Sequence, residues 1–134
     1  MGKWIVSGIG AGVGAAIASL VFWWLATGPL GIPKLVVAPG SAAAPLNPVM
    51  IAGSCIFAGA VAGLLAGFLS KRAGAAKTFT IISVVMVLLS MISPVMQPAE
   101  VPWSTRWVLI LLHLIAFAAI WGYLNQELKK RVAA

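Results

Sequence analysis

A chain of 134 residues that is 62% hydrophobic and 8% charged cannot clothe a soluble core, since soluble domains carry about 25% charged residues. Its formal charge of +7 comes without an aromatic-interleaved basic patch, which argues against nucleic-acid binding; one cysteine excludes an intramolecular disulfide and a cysteine-rich metal site. Mean hydropathy is +1.08, and the charge-free runs 5–33, 35–70, 78–99 and 107–126 define a single all-α domain of four membrane-spanning helices, each needing about 20 apolar residues.

The first helix is expected over 3–26. Its glycines also fit a dinucleotide-binding fingerprint, as Gly10-Ala11-Gly12-Val13-Gly14-Ala15. That reading fails on context, because the ribose-binding acid should stand about 20 residues on. The chain has no Asp or Glu before Glu100. Bulky Phe22-Trp23-Trp24 occupy the place of a signal-peptide cleavage site, so this helix is expected to be retained. Gly8/Gly12 and Gly10/Gly14 are spaced by four, as are Gly59, Gly63 and Gly67 in the second helix. Small residues at that spacing make a flat strip against which another backbone packs closely, and all seven are read as helix-packing positions.

The loop 27–47 contains Pro29, Pro33, Pro39 and Pro45, too many for a continuous helix. Its apolar "LVVA" patch is expected on the membrane surface or over the outer end of the bundle. Asn47 as cap and Pro48 at the first helical position open the second helix, 48–70, which Lys71-Arg72-Ala73-Gly74 closes. Cys55 reads as a small apolar packing residue. The third helix, 76–96, runs into Pro94 and Pro98; Met86, Met91 and Met96 are spaced by five and read as apolar filling, not a copper site. Pro102 and then Ser104 or Thr105 open the fourth, 104–128, where Arg106 is expected to pair with Glu100 or a lipid phosphate.

Four alternating helices place Lys3, Lys71, Arg72, Lys77, Lys129, Lys130 and Arg131 at one end and only Lys34 and Arg106 at the other. The positive-inside bias then puts both termini in the cytoplasm. Trp23, Trp24, Trp103 and Trp107 would form the outer aromatic belt, and Trp4, Trp121 and Tyr123 the inner one.

His113, the only histidine, falls about 13 Å into the fourth helix, and an ionisable residue at that depth is a functional candidate. Ser19, Ser54, Ser83 and Ser90 reach comparable depths and complete a candidate intramembrane polar site. A hydrogen bond from His113 to a hydroxyl or carbonyl would fasten the bundle. No carboxylate stands beside it for proton coupling, one histidine cannot make a bis-histidine haem, and no nucleophile–base–acid set can be assembled. Neither catalytic residues, metal ligands nor a cofactor are therefore expected.

The segment "LLSMISPVMQPAEVPWSTRWVLILLHLIAFAAIWGYL" resembles the second half of a family of small four-helix bacterial, actinobacterial-type integral membrane proteins of unknown function. The shared features are a Ser-x-x-Pro exit leading to Pro94, a small polar cap, and the Leu-His-Leu-Ile-Ala run at Leu112 to Ala116. A proline that often follows the histidine in that family is replaced here by Ile120-Trp121. The resemblance implies four helices and a shared histidine, and no activity.

The expected function is that of a non-enzymatic accessory or scaffolding bundle, multi-pass in a bacterial plasma (inner) membrane. Its partners would be membrane lipids and either further copies of itself or the subunits of a larger membrane complex. The alternative is a small transporter or channel whose pathway forms in an oligomer around His113. Small multidrug transporters use four helices with an embedded glutamate, which no helix interior here supplies.

Overall fold

The computed structural model describes residues 1–37 and 42–133. Pro39 and the Ala38 end of the "LVVA" patch lie outside the described residues. Four helical segments are long and apolar enough to cross a membrane. In chain order the elements are α1 (Gly2–Thr27), β1 (Leu35–Val36), β2 (Ala44–Pro45), α2 (Pro48–Leu69), α3 (Ala75–Ser90), α4 (Ile92–Val95) and α5 (Trp103–Ala133).

Local chemistry sets these boundaries. Asn47 Oδ1 accepts from Val49 N at 2.8 Å and Pro48 takes the first helical position, so α2 starts on a satisfied cap. Gly74, at φ 72°, turns the chain into α3 through a left-handed conformation that a side chain would disfavour. The third span is not one continuous helix. Pro94 has no N–H for the Ser90 carbonyl, and Met91 N is shared between Val87 O and Leu88 O, so the helix tightens and breaks before α4. The last helix runs five residues past the expected Leu128, because Lys129-Lys130-Arg131 are good helix formers and Lys130 Nζ bridges Glu127 Oε1 at 2.8 Å.

The proline-rich connection forms a small antiparallel hairpin, with Leu35 opposite Pro45 and Val36 opposite Ala44. Side chains from the far half of the chain strap it down. Gln97 acts as a surrogate strand: its Oε1 accepts from Val37 N at 3.0 Å, and its Nε2 donates to Val37 O at 3.1 Å. Thr105 Oγ1 donates to Pro33 O at 2.6 Å.

The helices associate unequally. α1 and α2 are antiparallel and in close contact along their length, and α5 lies across both. Gly8 faces Gly59 and Gly63, Gly12 faces Cys55 and Ile56, and Gly67 lies under Met1 and Trp4. These approaches leave no room for a Cβ: one built on Gly8 would strike the Gly59 carbonyl oxygen and stand 2.7 Å from Gly63 Cα. In lipid, where helices gain nothing by hiding apolar surface from each other, such backbone contact is a main source of association. Gly10 and Gly14 do not share in this seam within the chain; each has nothing within 4 Å of an added Cβ. At 100° per residue they are turned about 200° from Gly8 and Gly12 and sit on the opposite face of α1.

Two further expectations are corrected. Arg106 is buried and, among the described residues, forms no ion pair with Glu100. Its Nε donates to Val101 O at 3.1 Å, one terminal nitrogen to Val95 O at 3.0 Å, and the other to Pro98 O at 2.8 Å. Trp103 stacks below the guanidinium, 4.7 Å from its carbon. Three backbone carbonyls of the α4–α5 turn thus outcompete a single loop carboxylate. At the basic end, Trp4 is buried beneath Arg131, and Trp121 turns into the bundle, where its Nε1 donates to Thr80 Oγ1 at 2.9 Å. Only Tyr123 of the expected inner belt is largely exposed.

Candidate functional site: a lateral cleft between α2 and α3

Because α3 leans on α5 and barely meets α2, the space between α2 and α3 is not filled. It forms a cleft of about 530 Å³. That is the size of sites that hold small organic ligands. α2 and α3 form its sides and α5 its floor, with Ser19 of α1 reaching in from behind.

The cleft runs nearly the depth of the bundle. At 1.5 Å per residue, Met50 stands about 3 Å from the start of α2 and Leu65 about 25 Å from it. Phe79, Ile120 and Trp121 line the end nearer the basic residues. Trp121 is held there by Thr80, whose hydroxyl in turn donates to Ala76 O at 2.9 Å and lies 3.4 Å from Asn125 Oδ1. Phe117 stacks on the Trp121 ring at 5.8 Å. This small polar cluster fixes α3 to α5 and gives the floor a rigid base. Trp121 carries an indole N–H that needs a partner in an apolar setting; that was the only signal in the sequence, and Thr80 and Asn125 had none.

All five residues of the candidate polar site line this one cleft: His113, Ser19, Ser54, Ser83 and Ser90. Their distances along their helices place them in its outer two thirds, with Ser90 about 8 Å, Ser54 about 9 Å, Ser19 about 12 Å, His113 about 15 Å and Ser83 about 18 Å from the proline-rich end. Below them the walls are apolar. Among the described residues, no Asp, Glu, Lys or Arg lines the cleft.

The polar groups are not equally available. Ser19 is fully buried, and Cys55 Sγ lies 3.7 Å from its Oγ. Ser90 donates to Val87 O of its own helix at 2.7 Å. His113 Nδ1 lies 2.7 Å from Leu109 O, one turn back on α5. A carbonyl only accepts, so Nδ1 carries the proton, and Nε2 of the neutral ring is left as an acceptor. It has no partner among the described residues and is not a fully buried atom. His113 therefore does not tie two helices together, as the sequence led one to expect. Its hydrogen bond is local, and its second nitrogen is unspent.

Four helices among the described residues, each long and apolar enough to cross a membrane, with an apolar cleft between two of them, fit the class of small polytopic α-helical membrane proteins. Within that class the chain belongs to DUF6069, a family of unknown function whose pattern it matches over residues 1–130. Neither a curated protein nor a solved structure matches it.

Proposed function

We propose that this protein is a non-enzymatic accessory bundle of a bacterial plasma membrane, with both termini cytoplasmic, that receives an apolar, membrane-dissolved molecule in the α2–α3 cleft. The observation that carries this reading is the contrast between the two sides of the bundle. The α1–α2 seam is packed backbone to backbone, whereas α2 and α3 part around about 530 Å³ of apolar-walled space. In a bilayer such a space is reached sideways, from the lipid. The seven cations at the ends of α1, α2, α3 and α5 support the proposed orientation through the positive-inside bias.

The second reading is a transport pathway around His113, supported by the convergence of His113 and four serines on one cleft. A pathway for a hydrophilic solute would need a second copy of the chain to close the open side.

The test is photolabelling in nanodiscs with an alkyl diazirine probe, comparing the native protein with Ala58→Trp and Ala62→Trp, which place an indole in the cleft. The native protein should be labelled at Leu112 and Ala116, and the tryptophan variants should lose that labelling while Leu88, on the exposed face of α3, keeps it. Equal labelling of Leu112 and Ala116 in all three proteins would sink the proposal. Solute flux from proteoliposomes that His113→Ala abolishes would favour the second reading.

A further inference from the structure

Resting on the cleft as the binding site, the geometry points to its ligand class: a neutral alcohol with a flexible apolar tail, whose hydroxyl donates to His113 Nε2. We infer this from three features together. The first is the unspent acceptor. His113 lies on the same face of α5 as Leu109, Leu112, Ala116, Phe117 and Ile120, all of which line the cleft. Its Nδ1 is fixed by Leu109 O, so Nε2 is an acceptor and cannot donate in the neutral ring. A ligand that only accepts, such as an ester or ether, leaves it unsatisfied; a hydroxyl satisfies it.

Charge is the second feature. No charged side chain lines the walls, so a phosphate or carboxylate at this depth would have no counter-ion. Lys34 and Arg106, the cations of the proline-rich end, are engaged elsewhere: Lys34 Nζ rests 5.0 Å from the centre of the Trp23 ring, and Arg106 holds its three carbonyls. The head of the ligand is therefore uncharged.

Shape is the third. From His113 to Trp121 the cleft extends about 12 Å with Phe79, Phe117 and Ile120 on its walls, and this is room for an alkyl tail of medium length. Ser54 and Ser83 flank His113 in depth on the two side walls. A serine hydroxyl donates as well as accepts, so the cleft offers an alcohol oxygen a donor as well as the Nε2 acceptor.

The chain has one histidine, so selective imidazole ¹⁵N labelling reports Nε2 alone beside Nδ1. The protein in nanodiscs is titrated with 1-dodecanol and, separately, with its methyl ether at equal mole fraction in the bilayer. Displacement of the diazirine probe is followed in parallel. The alcohol should shift the Nε2 resonance and displace the probe about fivefold more effectively than the ether, a ratio set by one hydrogen bond. In His113→Phe, which keeps an aromatic ring in place, that preference should vanish while both molecules still displace the probe. Equal displacement by alcohol and ether with an unmoved Nε2 resonance overturns the alcohol assignment and leaves the cleft as a site for apolar chains. Displacement by neither molecule, with no labelling of the cleft, overturns both.

Discussion

Gly59→Ala is the sharpest perturbation of the frame that holds the cleft. A methyl group there would strike the Gly8 carbonyl oxygen and stand 2.7 Å from Gly12 Cα and 2.8 Å from Gly12 N. All three obstacles are backbone, so no rotamer change relieves them. To bring the Gly8 oxygen out to the 3.4 Å at which ordinary contact begins, α1 and α2 must separate by roughly 1 Å. A gap of 0.5–1 Å forfeits roughly a quarter to a half of the dispersion attraction of the atoms it parts. Overpacking of this kind costs about 1–3 kcal/mol, against which the better helix propensity of alanine returns at most about 1 kcal/mol. The net destabilisation expected is about 2 kcal/mol. Gly10→Ala is the matched control on α1, the other helix of the seam: its methyl meets nothing, so the variant should be neutral or up to about 1 kcal/mol more stable. Reversible unfolding in mixed micelles over a titration of denaturing detergent measures both, and spin labels on α1 and α2 read the separation directly. If Gly59→Ala and Gly10→Ala unfold at the same detergent fraction, close backbone approach is not what holds α1 to α2.

Arg106→Ala removes the donor from three carbonyls at the α4–α5 corner and should cost about 2–4 kcal/mol by the same unfolding assay, with Arg106→Lys intermediate because one ammonium cannot span the fork. Thr80→Val takes the acceptor from Trp121 Nε1 and should cost about 1 kcal/mol; in a double-mutant cycle with Trp121→Phe the second change should add little, since both delete the same hydrogen bond.

The spans were legible in the sequence because each is written in consecutive residues. Charge-free runs locate four helices, and Asn47-Pro48 marks the start of α2 through a cap that involves only residues 47 to 49. Glycine spacing was legible as a strip but not as a direction. A four-residue period says that Gly8 and Gly12 share a face and that Gly10 and Gly14 share another; which face meets α2 depends on the rotation of the helix. The break at Met91 was half visible, since Pro94 announces an end of helix but not the short α4 turn beyond it.

The side-chain partners were less accessible. His113 stands out for its chemistry and its depth, which call for a hydroxyl or carbonyl partner but do not say on which helix. The actual partner, Leu109 O, is one turn away on α5, a backbone group common to every helix and so invisible as a signal. A charge invites an opposite charge, so the sequence points Arg106 to Glu100 or a lipid phosphate. At the α4–α5 turn, however, three backbone carbonyls are within hydrogen-bond reach and the single acid is not.

Sequence alone determined that four helices are long and apolar enough to cross a bilayer, because composition fixes what surface a chain can show and length fixes how many such helices it can hold. It also determined which polar residues lie at mid-depth, since a helix converts residue number into distance. Only the tertiary structure decided that those residues meet. Ser19, Ser54, Ser83, Ser90 and His113 belong to four different helices, and their convergence depends on α3 leaning on α5 instead of closing against α2. That choice is made by glycine contacts in one place and by Thr80, Trp121 and Asn125 in another. Depth is a property of one helix, whereas a site is a property of how several are turned.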